Sequence, residues 1–212
     1  MDYDLAIIGA GWAGFNAALK AKALGLKAAL IDKEQIGGTC LNRGCIPTKA
    51  LLQSAKIYSL IKKSKVFGIE TSSPQINFPE ILARKNKIIQ QLRQGMEFML
   101  KGADFINAQA SILSNNTLEI GQKKINAKFI LIATGSKPVE LNDIKFDGKK
   151  IISSNEILDL KEIPKSLLII GGGVIGCEFA SLFSTLGCQV SIVELTPQLL
   201  PGIDKEIARK LE

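Results

Sequence analysis

The chain has 212 residues, 46% of them hydrophobic and 22% charged, with a net charge of +7 and no histidine. That length and composition suit one large globular domain or two modest ones, and the missing histidine removes the commonest general base and the commonest metal ligand. The lysines are scattered (Lys62-Lys63, Lys85, Lys87, Lys123-Lys124, Lys149-Lys150) with no basic block, which favours a solvated surface and no nucleic-acid partner.

The first apolar run, residues 5–8, is too short for a signal core or a membrane span, so the expectation is a cytoplasmic protein with no membrane partner. It reads instead as a buried strand. Gly9-Ala10-Gly11-Trp12-Ala13-Gly14 follows, then a small-residue helix over 15–24, Gly25, a second strand over 27–31, and Asp32. Next comes Gly37-Gly38-Thr39-Cys40-Leu41-Asn42-Arg43-Gly44-Cys45-Ile46-Pro47-Thr48-Lys49. Two cysteines five positions apart can meet if the chain bends between them, and Gly44 favours that bend. Pro47 suits a first helical turn, and 49–60 has a helical pattern. Cys45 therefore falls at a helix amino terminus, where a thiolate is stabilised.

Residues 47–102 read as mainly helical, broken around 67–79, with Ile81, Leu82, Ile88, Ile89, Leu92, Met96 and Met99 at core-facing helical spacing. Residues 104–133 read as short strands around an Asn115-Asn116 turn, ending in Ala133-Thr134-Gly135-Ser136. Residues 137–165 look like a connector. A second buried strand, over 167–170, then enters Gly171-Gly172-Gly173-Val174-Ile175-Gly176, a helix over 177–186, Gly187, a strand over 189–193, and Glu194.

Each landmark of this last stretch lies 162 residues after its counterpart in the first. A lone GxGxxG is weak, but two copies with strand, helix and terminal acid predict two dinucleotide-binding βαβ units. The first glycine permits the tight turn, the second lets backbone approach a pyrophosphate, and the third lets helix and strand pack. The helix amino terminus offers unpaired N–H groups to the phosphates. Asp32 and Glu194 can each accept from a ribose diol, and an acid at 194 would repel a 2′-phosphate, which favours NAD over NADP. The fold class expected is α/β with two Rossmann-like FAD/NAD(P)-binding units, the second truncated. The domain division runs as 1–140 (an incomplete FAD-binding domain with a helical excursion at 47–102), 141–165 (connector) and 166–212 (start of an NAD-binding domain). Metal binding is not expected: Cys177 and Cys188 are the only other thiols, form no usual zinc spacing, and suit small apolar packing positions.

The run GGTCLNRGCIPTK, set after a glycine-rich turn and before ATGS at 133–136 and a second glycine turn, resembles the class I pyridine nucleotide-disulfide oxidoreductases. The CIPTK ending and Glu194 look most like the dihydrolipoamide dehydrogenase branch, while Arg43 departs from the valine common there. The resemblance implies oxidation of dihydrolipoamide to lipoamide through a Cys40–Cys45 disulfide and FAD, with NAD as hydride acceptor. Cys40 would exchange with substrate and Cys45 would lie against the flavin. Gly9, Gly11, Gly14, Asp32, Lys33, Thr39, Lys49, Ala110, Thr134 and Gly135 would serve FAD, and Gly171, Gly173, Gly176 and Glu194 would serve NAD. A helix amino terminus is a poor place for a cation, and the family pairs a lysine and a glutamate at these positions, so Lys49 is expected to contact Glu178. Implied partners are the dihydrolipoamide-bearing acyltransferase of a 2-oxo-acid dehydrogenase or glycine cleavage system, and a second copy in a homodimer. Family members are about twice this long, beyond one compact domain. The rest of the NAD sheet, a later FAD-contacting Gly-Asp segment and a dimerisation domain with a histidine–glutamate pair are therefore expected outside these residues, and the chain alone is expected to be inactive. Mercuric reductase, another disulfide reductase, or a non-catalytic nucleotide-binding fragment are the alternatives.

Overall fold

A computed structural model describes residues 1–211. The chain forms two compact units that interleave in sequence, 1–46 with 87–145 and 47–86 with 146–212.

The first unit is built on a six-stranded sheet of order β3-β2-β1-β6-β5-β4. β1 (Tyr3–Ile8), β2 (Ala28–Asp32), β3 (Asp104–Asn107) and β6 (Lys123–Ile132) run parallel, with Leu5 opposite both Ala28 and Phe129. β4 (Ala110–Ile112) and β5 (Thr117–Ile120) add an antiparallel edge around the expected Asn115-Asn116 turn. β1 and β2 are continuous apolar runs because both faces are covered: Ala6, Ile7, Ala29, Leu30 and Ile31 are all 0% exposed. On one face lies α1 (Trp12–Ala23), alanine-rich and therefore a good helix former, with Lys20 and Lys22 in its last turn and Gly25 at φ +70 just beyond it. Phe15 and Ala18 join Ile7, Leu30, Leu41, Ile89 and Met96 in one core. Ile89 and Met96 come from the second half of α4 (Phe78–Met99).

The second unit holds a two-stranded parallel sheet, β7 (Ser166–Ile170) with β8 (Gln189–Val193), and α5 (Val174–Thr185). Its core gathers Leu51 and Ala55 of α3 (Cys45–Lys62), Phe78 of α4, and Phe179, Leu182 and Phe183 of α5. A short α6 (Lys205–Arg209) is capped by Asp204, which accepts from Glu206 N and Ile207 N.

The structure departs from four sequence expectations. Lys85 is not surface: it is 2% exposed, and its Nζ donates to Leu158 O at 2.7 Å and pairs with Asp159 Oδ1 at 2.7 Å. A buried ammonium persists only with such partners. Leu92 and Met99, expected in a core, are 44% and 47% exposed. The stretch 137–165 is more than a connector, since Ile157 and Leu158, in a 3₁₀ turn at Glu156–Asp159, are buried in the second core. β7 is not a buried strand, with Leu168 62% and Ile170 53% exposed. The sequence-based domain division was drawn along the chain, whereas α3 and α4 each carry residues of both units; amphipathic spacing names the apolar face of a helix without naming the core it joins.

Candidate functional site

In the first unit the chain leaves β1 at Gly9, whose φ of +108 is one that glycine adopts readily, and Gly9 N–H donates to Ile31 O at 2.7 Å. A Cβ on Gly9 would strike Ala133 O and come within 3.1 Å of Thr134 Cα. Ala133 N–H donates to Ile8 O at 2.8 Å. Thr134, which follows β6, therefore sits beside the first glycine, and Gly135 comes next in the chain at φ +69. A Cβ on Gly14 would collide with Gly9 O, so the third glycine lets α1 press on the turn. Gly11 caps α1 with no side-chain hydrogen bond and no acid in the first turn, which leaves the helix-end N–H groups to an anion.

Asp32 ends β2 and its Oδ2 accepts from Ala10 N at 2.7 Å, while Oδ1 accepts from Glu34 N at 2.9 Å. A carboxylate has lone pairs for further donors, such as a ribose diol. Lys33, next in the chain, is exposed. Ala110 opens β4, two residues beyond Ala108, whose N–H donates to Asp32 O at 2.9 Å.

The loop after Asp32 turns back onto the glycine turn. Gly37 N–H donates to Ala10 O at 2.9 Å. Gly38, at φ +58, packs so tightly that a Cβ there would be 2.5 Å from Gly11 Cα. Gly38 is also the first residue of α2 (Gly38–Arg43), which carries exposed Thr39 and half-buried Cys40. α2 stops at Gly44, where a Cβ would be 2.9 Å from Thr39 O and 3.3 Å from Cys40 Cα. Gly44, at φ −142 and ψ −115, breaks the helical path between the two cysteines. Cys45, exposed, is the first residue of α3, at the helix amino terminus.

In the second unit the same device recurs. Gly171 has φ +107 and donates to Val193 O at 2.8 Å, a Cβ on Gly176 would collide with Gly171 O, and Gly173 caps α5 without a side-chain bond. Glu194 Oε2 accepts from Gly172 N at 2.6 Å, and Oε1 accepts from Thr196 N and Oγ1 at 2.8 and 2.9 Å. These bonds, the Thr196 amide's first and the Gly172 amide's next, hold the Glu194 carboxyl below the usual glutamate range. The loop after β8 again folds back: Leu200, at φ +50, donates its N–H to Gly172 O at 2.8 Å. Leu199 Cδ2 lies 2.5 Å from where a Gly172 Cβ would stand.

Lys49 on α3 and Glu178 on α5 form the expected contact, Nζ to Oε1 at 2.6 Å, with Glu178 the less exposed partner at 25%. Cys177 and Cys188 are buried, and burial, joined at Cys177 by the charge of Glu194, pushes both thiols up, which suits inert packing positions.

Sequence reasoning missed three features. Gly37 and Gly38 were visible as a pair, but not their seat on the first turn. Asn42 was read only as part of the motif, yet its Nδ2 donates to Gln35 O and Ile36 O, and its Oδ1 accepts from Arg93 Nη2 at 2.7 Å. The Arg43–Glu34 ion pair carried no local signal.

The site thus consists of two glycine turns of dinucleotide-binding form, one of them in contact with the helix that bears Cys40. Residues 3–212 match the pyridine nucleotide-disulphide oxidoreductase family, and the chain belongs to it. It is 46% identical to a dihydrolipoyl dehydrogenase of Bacillus subtilis over 97% of its own length and 46% of that protein's. It is 41% identical to the dihydrolipoyl dehydrogenase of Acholeplasma laidlawii, with 97% of this chain and 63% of that one covered. Among solved structures it is similar to the Cu(II) complex of the HOCl-induced flavoprotein disulfide reductase RclA of Escherichia coli. That match has a TM-score of 0.82 at 33% identity and covers 98% of this chain and 45% of the other. The chain thus spans less than two thirds of these relatives.

Proposed function

We propose that these residues form the nucleotide- and dithiol-bearing part of a flavoprotein that oxidises dihydrolipoamide to lipoamide, with NAD as the final acceptor. The observation that carries this reading is the contact of Gly38 with Gly11, because it sets the helix bearing Cys40 against the turn that would hold the FAD pyrophosphate. The residues fit that cofactor: the turn has no room for a Cβ at Gly9 or Gly14, the amino terminus of α1 lacks a side-chain cap, and Asp32 keeps acceptor capacity. The second turn with Glu194 suits NAD on the same grounds.

The chain's own part is thiol–disulfide exchange. One substrate thiolate attacks Cys40 Sγ and displaces Cys45 as a thiolate. The second substrate thiolate then displaces Cys40, closing the lipoamide ring and leaving two electrons on the cysteine pair. Cys45, at the amino terminus of α3, is the better leaving thiolate because the helix end stabilises its charge. FAD, when bound, supplies the two-electron carrier between that pair and NAD. Lys49 and Glu178 are assigned to the cofactor side of this exchange, Lys49 one helical turn after Cys45 on α3. In this reading residues 1–140 serve FAD and 166–212 begin the NAD site, while 141–165 join them in sequence and lend Ile157 and Leu158 to the second core. The partners are a lipoyl-bearing acyltransferase and a second copy, the compartment is the cytoplasm, and the pure chain shows no NADH-linked lipoamide reduction. No helix among the described residues is long and apolar enough to cross a membrane.

The test is spectroscopic. The chain reconstituted with FAD and reduced with dithiothreitol is expected to show a long-wavelength thiolate-to-flavin band, absent in Cys45→Ser. No FAD uptake, or a band indifferent to that change, sinks the reading.

A further inference from the structure

A cysteine pair works as a two-electron acceptor only if its sulfurs can reach bonding distance. α2 has six residues, and so short a helix does not hold its own geometry in water. Its last two side chains both fasten it to the loop that follows β2. Asn42 engages its whole amide: Nδ2 donates to Gln35 O at 3.3 Å and Ile36 O at 3.1 Å, and Oδ1 accepts from Arg93 of α4. Arg43 pairs with Glu34. Glu34 N–H donates to Asp32 Oδ1 at 2.9 Å, and Asn107 Nδ2 ties Asp32 O to Glu34 O at 3.1 and 2.8 Å. A continuous polar path therefore runs from Asp32 through Glu34 to Arg43, two residues before Cys45.

We infer that Asn42 and Arg43 are positioning residues for the cysteine pair, holding α2 in register with the Asp32 loop so that a nucleotide bound at Asp32 favours Cys40–Cys45 disulfide formation. This rests on the reading of Cys40 and Cys45 as the redox pair. Both side chains act through the backbone they anchor. Asn42 is the stronger anchor, since losing it unpairs two carbonyls and an arginine N–H at once. The Arg43–Glu34 pair is 37% and 44% exposed, so solvent screens it and its share is smaller.

The experiment is equilibration of the chain with a dithiothreitol redox buffer, with and without FAD. Oxidised dithiothreitol takes two electrons and two protons from the Cys40 and Cys45 thiols and leaves as the dithiol, while one protein S–S bond forms; alkylation and mass measurement count the thiols left. FAD is expected to raise the equilibrium constant of the unaltered chain. Asn42→Ala should lower the constant about tenfold, as loss of several hydrogen bonds implies. Arg43→Ala should lower it about threefold, as for a part-exposed ion pair. Both should lose the response to FAD, and the charge-swapped pair Glu34→Arg with Arg43→Glu should recover what either single reversal loses. Recovery by the swap is something a merely destabilising change would not produce. Should Asn42→Ala fail to fold, the Arg43 set decides alone. A constant and FAD response unchanged in Arg43→Ala, or a swap that recovers nothing, overturns the inference. An unaltered chain that forms no Cys40–Cys45 bond at any buffer ratio sinks the redox reading instead.

Discussion

The two glycine turns are near copies with different surroundings. Gly9 and Gly171 have φ of +108 and +107, Gly11 and Gly173 cap their helices in the same extended conformation, and Asp32 and Glu194 each take the amide that follows the first glycine. Yet a Cβ on Gly9 meets the backbone of Ala133, whereas one on Gly171 meets nothing within 4 Å. β1 lies between β2 and β6, while β7 and β8 make up their whole sheet among the described residues. The turn conformation is thus written locally, in the glycines and the acid, and burial is set by what stands alongside. The loops that fold back also differ. Gly38 lets backbone touch backbone and leads into α2 with Cys40, but Leu200 holds a positive φ without being glycine and its neighbour Leu199 covers Gly172.

Three measurements would break or sharpen this comparison. Gly9→Ala and Gly171→Ala should each cost about 1–2 kcal/mol for the positive φ. Gly9→Ala should cost a further ~1–3 kcal/mol, because a neighbouring strand end must move. Denaturant unfolding of both variants reads the difference, and equal losses would mean that the strand beside Gly9 yields freely. The next effect is on binding. Gly38→Ala should weaken FAD uptake about tenfold by forcing α2 off Gly11, an overpacking cost of ~1.4 kcal/mol. Leu200→Ala, in the other unit, should leave FAD affinity alone; flavin fluorescence titration separates them. The smallest effect concerns protons. Because the folded-state pKa of Glu194 is depressed, its stabilisation is present above the ordinary glutamate value and disappears as pH falls through the lower one. Glu194→Gln should therefore melt earlier than the unaltered chain at neutral pH and converge with it in acid. A constant gap across the acid range would contradict the origin assigned to the shift.

Much of this was legible in the residues. The repeat fixed both turns, the acids, and the helices and strands around them, because glycine φ and apolar runs are local properties. The Lys49–Glu178 contact followed from family resemblance and a cation placed awkwardly near a helix start. Other features were hidden for physical reasons. Lys85 looks like any surface lysine until Leu158 O and Asp159 are brought to it from more than seventy residues away. Leu92 and Met99 have core-like spacing on α4 but remain exposed, since periodicity describes a face and not its cover. Asn42 and Arg93 meet across fifty-one residues through polar atoms, and such pairs leave no periodic trace.

The touch between Gly38 and Gly11 has a consequence for sequence change. A side chain at Gly38 would strike Gly11 Cα and force one backbone to retreat, whereas one at Gly11 would meet Gly38 Cα only at 3.7 Å, an ordinary contact. Any relative of this fold that enlarges the Gly38 position should show a compensating shift of the loop behind it, and the separation of thiol helix from nucleotide turn would record that exchange.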